Sequence, residues 1–138
     1  MTSIPGSSGW FERGVITYSN KSKEDLLEVS RETLSLYGAV SSQTAVEMAD
    51  GVKRLAGTGY SLAITGIAGP TGGTLQKPVG TVYIALSTPE RTVAERFRFA
   101  GTRHMIQTLA AETALDLLRL YLSYGTYFPG NRPAGHTA

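Results

Sequence analysis

The chain has 138 residues, a formal net charge of +2 and no cysteine. Its length predicts one domain, and 41% hydrophobic with 17% charged residues is an ordinary globular composition. The small net charge and the lack of a basic stripe give no reason to expect a nucleic-acid partner. No apolar run approaches the ~20 residues of a membrane span, and "MTSIPGSSGW" lacks the features of a signal peptide. The absence of cysteine fits a cytoplasmic protein.

The first half of the chain predicts one strand followed by helices. β-branched and aromatic residues favour a strand over residues 13–20, closed by Ser-Asn. A short helix in "KSKEDLLEVS" comes next, and then a further helical turn that Gly38 stops. The next helix has stronger sequence support, because apolar residues recur at helical spacing. It is capped by Ser41 and ends at Gly57.

The second half predicts three strands in a row and one long helix. The strands are "YSLAITGI", "PVGTVYIALS" and "TVAERFRF", the last alternating as a strand near a sheet edge does. An apolar stripe predicts a helix over residues 103–124. Residues 125–138 are rich in Gly and Pro and have no period, so we expect a domain over 1–124 and a flexible tail over 125–138. The class is α/β, with a partly antiparallel sheet and helices on its faces.

A glycine-rich stretch lies between the first two of these strands. "TGIAGPTGGTLQKPVGTV", residues 65–82, holds five glycines and two prolines. It is neither a Walker A motif nor a dinucleotide fingerprint, because "GK[ST]" is absent and a strand follows it. Its place after a buried strand and its successive N–H groups favour a ligand-binding loop. The alternative is a long hairpin connection whose glycines only supply positive φ, and the composition leaves both interpretations open.

Three side chains are candidates for chemistry, each with a plainer alternative. Lys23 is predicted in the first turn of a helix, where the positive amino end would lower its pKa and help it act as a base; the alternative is a surface lysine. Tyr18 could reach the same place, or pack in the core. Arg103 opens the last helix and could meet a phosphate, or be simply exposed.

Metal and serine-triad chemistry have little support. The two histidines, His104 and His136, lie far apart in the sequence, and no acidic cluster has ligand spacing. There is no "GxSxG" motif. His104 lies at a predicted helix start, where the simplest interpretation is a surface residue. We therefore expect no metal site.

Three stretches together resemble one family closely: "IPGSSGWFERGVITYSNKSK", "YGAVSSQTAVEMADG" and "TGIAGPTGGTLQKPVGTVYIAL". They are similar to the CinA C-terminal domain of competence/damage-inducible proteins, and the similarity covers about residues 2–118. Enzymatic members of that family are nicotinamide mononucleotide amidases, also called PncC. The resemblance implies a three-layer α/β/α domain around a mixed, mainly parallel sheet. It also implies hydrolysis of the nicotinamide mononucleotide carboxamide to nicotinate mononucleotide and ammonia, without a metal or cofactor.

The resemblance also implies roles for individual residues. In the family, a serine in an "ESxTGG" motif is the nucleophile, and the lysine of "YSNxxK" is its base. That lysine corresponds to Lys23 and the tyrosine to Tyr18, which makes these two the catalytic candidates. A nucleotide substrate would bind at the "TGIAGP" loop and at the arginine of the family's "GDR". The substrate-binding residues implied are Thr65, Gly66, Ile67, Ala68, Gly69, Pro70 and Arg103.

The sequence departs from the family pattern in one major respect. "ESxTGG" occurs nowhere in it, and in the family this motif precedes the position at which "MTSIPGSS" begins. We expect the family's first strand and first helices to be missing, and the chain as given to be inactive. Thr102 and Gln107 also stand where the family has Asp and often Arg. Two hypotheses remain: an amidase by descent, or a non-catalytic remnant that binds a nucleotide or a partner chain.

The absent strand is the central one of the family's sheet, whose order resembles 2-1-3-4-5. It would separate "GVITYS" from "SLAITG", so both should lose a pairing partner and expose an edge that favours association. We expect the three later strands to remain a sheet and "GVITYS" to be poorly anchored. The two separated strands could pair directly, leave a slot, or accept another chain in a homo-oligomer. Gly66 and Gly69 should hold backbone conformations or close approaches that a side chain would spoil.

Overall fold

The computed structural model describes residues 1–127. A 3-10 helix at Ser7–Gly9 precedes four α-helices and three strands. In chain order these are α1 (Asn20–Leu27), α2 (Arg31–Tyr37), α3 (Ser42–Ala56), β1 (Ser61–Gly66), β2 (Thr81–Ser87), β3 (Thr92–Arg98) and α4 (Arg103–Tyr124). Within residues 1–127, no helix combines the length and apolar character needed to cross a membrane.

Hydroxyl side chains fix where each α-helix begins. Each N-cap oxygen accepts a hydrogen bond from the backbone N–H three residues later, which satisfies one free donor of the first turn. The caps of α1 to α4 are Ser19, Ser30, Ser41 and Thr102. The helix predicted between Ser41 and Gly57 is confirmed, as is the helix predicted over residues 103–124.

The three strands form one antiparallel sheet in the order β1-β2-β3. Ile64 of β1 lies opposite Ile84 of β2, and Ile84 lies opposite Glu95 of β3. The predicted α/β class and the persistence of these three strands as a sheet are confirmed. The sheet is not mainly parallel, as the resemblance implied, because consecutive strands join directly, whereas parallel neighbours need a crossover that is usually helical.

Helices cover both faces of the sheet, which gives three layers. On one face, α3 and the end of α1 pack against the small residues Ala63 and Ala85. On the other face, α4 packs against Val82, Ile84 and Leu86 of the central strand. The α4 residues in this second core recur at helical spacing, as expected of one buried stripe; they are Ile106, Ala110, Ala114 and Leu117.

Residues 12–18, called here the extended segment, do not form the predicted strand. None of them makes a backbone–backbone hydrogen bond within the described chain, so the direct pairing of this segment with β1 is absent. Its residues nevertheless alternate: Val15 packs on the α3 core and Thr17 is buried, whereas Ile16 is 90% and Tyr18 85% exposed. The strand prediction was wrong because β-propensity cannot replace a partner edge. The expected loss of strand pairing is confirmed, but the expectation of poor anchoring is wrong, because Lys23 Nζ donates to the backbone carbonyl of Thr17 at 2.7 Å.

The structure describes the first three residues of the predicted tail. Tyr127 is buried, and its hydroxyl lies 2.9 Å from the hydroxyl of Thr88. The guanidinium of Arg91 stands 4.3 Å from the centroid of the same ring. The chain therefore stays packed on the domain as far as Tyr127. The remainder of the predicted tail, with His136, lies outside the described residues.

Candidate functional site

A groove of about 1280 Å³ opens along β1. The extended segment, β1, the start of the glycine-rich loop and one side of α4 all line it. Small-molecule sites usually enclose about 300–1,000 Å³, so the groove has room for more than a small ligand. It brings together Lys23, Tyr18, residues 65–69 and Arg103, whereas Pro70 does not line it.

Lys23 places a buried amine in this groove. Only 5% of its surface is exposed, and its Nζ donates to the carbonyl of Thr17 at 2.7 Å and reaches that of Tyr18 at 3.4 Å. Ser19 begins α1 with a capping box and so fixes the helix that carries the lysine. Lys23 is thus not the surface lysine of the alternative interpretation. Burial, rather than the helix end invoked from the sequence, lowers the pKa of this amine.

The surroundings of Lys23 provide hydrogen-bond acceptors rather than a counter-charge. Two backbone carbonyls accept from the amine, as they can in either of its protonation states. No ion pair to Lys23 is formed among residues 1–127. A buried amine without a carboxylate neighbour is a base that can accept a proton from a group in the groove.

Tyr18 contributes its backbone and its ring in different directions. Its carbonyl faces the Lys23 amine, whereas its side chain is 85% exposed. The alternative interpretation, that Tyr18 packs in the core, is therefore wrong. Its ring stands on the open rim of the groove, where it can close over a bound group only from the solvent side.

The loop that follows β1 is fixed to its surroundings by hydrogen bonds. Thr65 is buried, and its hydroxyl donates to the carbonyl of Ala39 at 2.6 Å. Ile67 donates to Thr81 at 2.9 Å and accepts from Gly80 at 2.7 Å through backbone groups. These bonds extend the β1–β2 pairing into the loop, so residues 65–69 form a rigid wall of the groove.

Gly66 and Gly69 occupy positions that a side chain would spoil, as predicted. A Cβ on Gly66 would lie 2.8 Å from Val82 Cγ2, and one on Gly69 would lie 2.5 Å from Val79 Cγ1. Gly69 also has φ near +78°, which favours glycine. Both approaches are to the chain's own residues, so internal packing by itself accounts for these glycines. The ligand interpretation of the loop rests instead on its position in the groove.

Arg103 joins α4 to this loop. Its Nη1 donates to the carbonyl of Gly69 at 2.8 Å, while the residue as a whole remains exposed at the groove. The other guanidinium donors are available for a second partner, and a phosphate oxygen is a suitable acceptor. No group of His, Asp or Glu side chains able to hold a metal ion occurs within residues 1–127.

Sequence reasoning missed the part of α4 that faces the groove. Gln107, Leu118 and Leu122 line it, although the predicted stripe placed none of them inward. Leu118 and Leu122 are four residues apart, and helical neighbours of this kind share a face. That second apolar row was the signal available in the sequence.

Comparison with known proteins identifies the family of the chain. The model of the CinA C-terminal domain matches residues 1–122. The chain belongs to the CinA C-terminal domain family. A putative competence-damage inducible protein of Acetivibrio thermocellus is 50% identical over 122 residues, which are 88% of this chain and 30% of the relative. A CinA-like protein of Endomicrobium trichonymphae is 52% identical over 119 residues, 86% of this chain and 28% of the relative. The chain thus spans less than a third of these curated relatives.

Solved structures of the family share the fold. The competence/damage inducible protein CihA of Agrobacterium tumefaciens is 41% identical, with a TM-score of 0.83 over 86% of this chain and 73% of that one. The competence damage-inducible protein A (ComA) of Klebsiella pneumoniae is 33% identical, with a TM-score of 0.86 over 91% of this chain and 78% of that one. The predicted family membership is therefore confirmed.

Proposed function

We propose that this CinA-family domain forms the substrate pocket of a nicotinamide mononucleotide amidase that works in cytoplasmic pyridine-nucleotide recycling. The observation that carries the proposal is the buried Lys23 amine, which has no carboxylate partner among residues 1–127 and lines the same groove as the loop 65–69 and Arg103. The family's chemistry needs a base, a rigid loop for the amide and a cation for the phosphate, and the groove contains one of each.

The reaction assigns a separate task to each group. A serine hydroxyl attacks the carboxamide carbon while Lys23 takes its proton. The protonated lysine then gives that proton to the amide nitrogen, whose bond to carbon breaks so that it leaves as ammonia. Water then hydrolyses the acyl–serine ester to nicotinate mononucleotide. Residues 65–69 hold the pyridine carboxamide, and the free donors of Arg103 bind the phosphate.

Within residues 1–127, the two serines next to Lys23 in sequence are not suited to be the attacking serine. Ser19 and Ser22 are its neighbours in sequence, but their hydroxyls bond to each other and to backbone groups of the α1 cap. The family's "ESxTGG" motif occurs nowhere in the 138 residues. Without a nucleophile an amidase keeps only the effects of binding and electrostatics, so we expect this chain by itself to bind the nucleotide without turning it over.

The engagement of the Ser19 and Ser22 hydroxyls in the α1 cap favours a second candidate, a non-catalytic domain that binds a nucleotide or a partner chain. Adding the "ESxTGG" segment of a family enzyme ahead of residue 1 distinguishes the two. An amidase domain would then release ammonia, and Lys23→Ala would abolish that release. A non-catalytic remnant would stay inactive in the same chimera.

Calorimetric titration with nicotinamide mononucleotide tests the pocket itself. We expect binding that weakens about tenfold in Arg103→Ala, because one charge-assisted contact to the phosphate is lost. Nicotinamide riboside, which lacks the phosphate, should bind the parent chain and Arg103→Ala equally. Arg119→Ala is the control, since this exposed residue of α4 pairs with Asp116 and does not line the groove. Absence of nucleotide binding at millimolar concentration would contradict the proposal.

A further inference from the structure

The connection between α2 and α3, residues 38–41, is held by side chains from the glycine-rich part of the chain. The Lys77 amine donates to the carbonyl of Tyr37, the last residue of α2, at 2.6 Å. The hydroxyl of Thr65 donates to the carbonyl of Ala39, also at 2.6 Å. The first contact joins residues 40 positions apart and the second joins residues 26 positions apart. Both therefore tie together segments that are distant in the sequence.

The carbonyl between these two has side-chain donors as well. Gly38 accepts from the hydroxyl of Ser41 at 3.0 Å and from that of Thr44 at 2.7 Å. A Cβ placed on Gly38 would lie 3.6 Å from Lys77 Nζ, so the lysine amine sits directly against the turn at which α2 ends. Three consecutive carbonyls are thus held by side chains, and Lys77 is the charged donor among them.

Lys77 reaches α2 from a fixed base. Its backbone N–H donates to the Thr74 hydroxyl at 3.0 Å, and its carbonyl accepts from the Thr74 N–H at 2.9 Å. The carbonyl of Gln76 accepts from the Arg96 guanidinium of β3 at 2.7 Å. The turn of residues 74–77 is thereby attached to the sheet on one side and to α2 on the other. A lysine suits this second attachment, because the last carbonyls of a helix lack partners within the helix.

The segments that Lys77 joins are two parts of one wall of the groove. Ala39 and Val40 line the groove together with residues 65–69, whereas Lys77 does not line it. All the hydrogen bonds described above lie within residues 37–96. The lysine therefore acts on the wall from behind and has no contact with the space inside the groove.

We propose that Lys77 is a positioning residue of the nucleotide pocket, where it keeps the α2–α3 connection at a fixed separation from residues 65–69. This inference rests on the proposed function, because it takes the wall of the groove to be the wall of the nucleotide pocket. Without the lysine amine, the Thr65 hydroxyl still holds the connection to the end of β1. The wall should then open locally more often, while the rest of the domain keeps its structure.

Hydrogen exchange tests this coupling without any ligand. The amide of Gly38 closes the last turn of α2, and that of Ile67 donates to the first residue of β2. In Lys77→Met both amides should exchange at least about fivefold faster, whereas those of the β2–β3 pairing should keep their parent rates. Lys77→Arg should remain within about twofold of the parent, because a guanidinium can donate to the same carbonyl.

Lys53→Met is the matched control. The Lys53 amine also donates to a backbone carbonyl, that of Thr88 at 2.7 Å, and this lysine does not line the groove either. The substitution therefore removes a bond of the same kind at another place in the fold. The amides of Gly38 and Ile67 should exchange in Lys53→Met as they do in the parent chain.

Calorimetric titration with nicotinamide mononucleotide tests the consequence for the pocket. Lys77→Met should bind the nucleotide about fivefold more weakly than the parent chain, and Lys77→Arg and Lys53→Met should bind it as the parent does. Equal affinity in the parent and in Lys77→Met would overturn the proposal. So would exchange at Gly38 and Ile67 that Lys77→Met leaves unchanged, or accelerates no more than exchange in the β2–β3 pairing. A parent chain that binds no nucleotide would contradict the proposed function instead, and the exchange rates would still decide whether Lys77 couples the two segments.

Discussion

Lys23 illustrates how one residue links burial to chemistry. Its amine is held by two backbone carbonyls rather than by a carboxylate, and burial disfavours its charged form, which lowers its pKa. The burial that lowers its pKa therefore also lowers the free energy of unfolding at neutral pH, where the amine must be charged or lose its proton. That cost can be measured without any substrate.

The stability of the chain should rise with pH in the alkaline range because of Lys23. Burial lowers the folded-state pKa of this amine below its ordinary value of about 10.5. Between those two pKa values the unfolded chain binds the extra proton, so the free energy of unfolding increases with pH. Denaturant unfolding of the parent chain and of Lys23→Met, compared from pH 7 to pH 11, should show this rise only in the parent.

Lys21 is the matched control for that experiment. It lies one half-turn earlier on α1, is exposed, and pairs with Asp25, whose contact raises the pKa of Lys21. A raised pKa has the opposite sign: its stabilising effect is present below about 10.5 and is lost as pH rises through the folded pKa. Lys21→Met should therefore retain the rise due to Lys23. A rise of equal size in Lys23→Met would show that another group is responsible.

Thr81 is a second residue whose polar group costs stability. It is fully buried, and its hydroxyl has no hydrogen-bond partner within the described part of the chain. Thr81→Val should stabilise the chain by about 1 kcal/mol, because it removes an unsatisfied group while keeping the shape. The buried Thr44 is the control: its hydroxyl donates to Gly38 at 2.7 Å, so Thr44→Val should destabilise. Chemical unfolding would contradict the prediction if both changes had the same sign.

At the scale of elements, one carboxylate joins a helix to two strands. Asp50 of α3 accepts hydrogen bonds from Ser87 of β2, at 2.8 Å, and from Thr92 of β3. The hydroxyls of Ser87 and Thr92 also lie 2.6 Å apart. This cluster fixes the position of α3 along the sheet where the side chains beneath it are small.

Asp50→Ala should destabilise the chain by about 2 kcal/mol, since hydrogen bonds to a charged acceptor contribute ~1.5–3 kcal/mol. Asp116→Ala removes a carboxylate from α4 that pairs with Arg119 at the surface, and should cost less than about 1 kcal/mol. Urea unfolding of both variants gives the comparison. Equal losses would mean that the α3 cluster contributes no more than a surface ion pair.

The elements also show what local sequence can and cannot predict. The bounds of α4 were predictable, because a stripe that recurs over many turns and a capping threonine are both local signals. The strand over residues 13–20 was not, because its existence depends on an edge far away in the sequence. The burial of Lys23 could not be predicted from local sequence either, because it depends on which parts of the fold surround the amine. The succession of strands already predicted a partly antiparallel sheet, whereas the mainly parallel arrangement came from the resemblance alone and is not what β1 and β2 form.

For the whole molecule, the groove along β1 leaves apolar side chains exposed to solvent. These include Ile16, Tyr18 and Ile64. The isolated chain should therefore unfold below about 60 °C, within the usual mesophile range. Differential scanning calorimetry measures this midpoint. A cooperative monomeric transition above about 60 °C would contradict the expectation.

The direct succession of β1, β2 and β3 has a consequence for how the chain folds. All of its strand pairings join neighbours in the sequence, within residues 61–98. Contacts between near neighbours close small loops, lose little entropy and form quickly. The sheet can therefore assemble with α4 before residues 1–60 have folded onto it. The residues before β1 then join a scaffold that already exists, and α3 completes the second core by packing on Ala63 and Ala85.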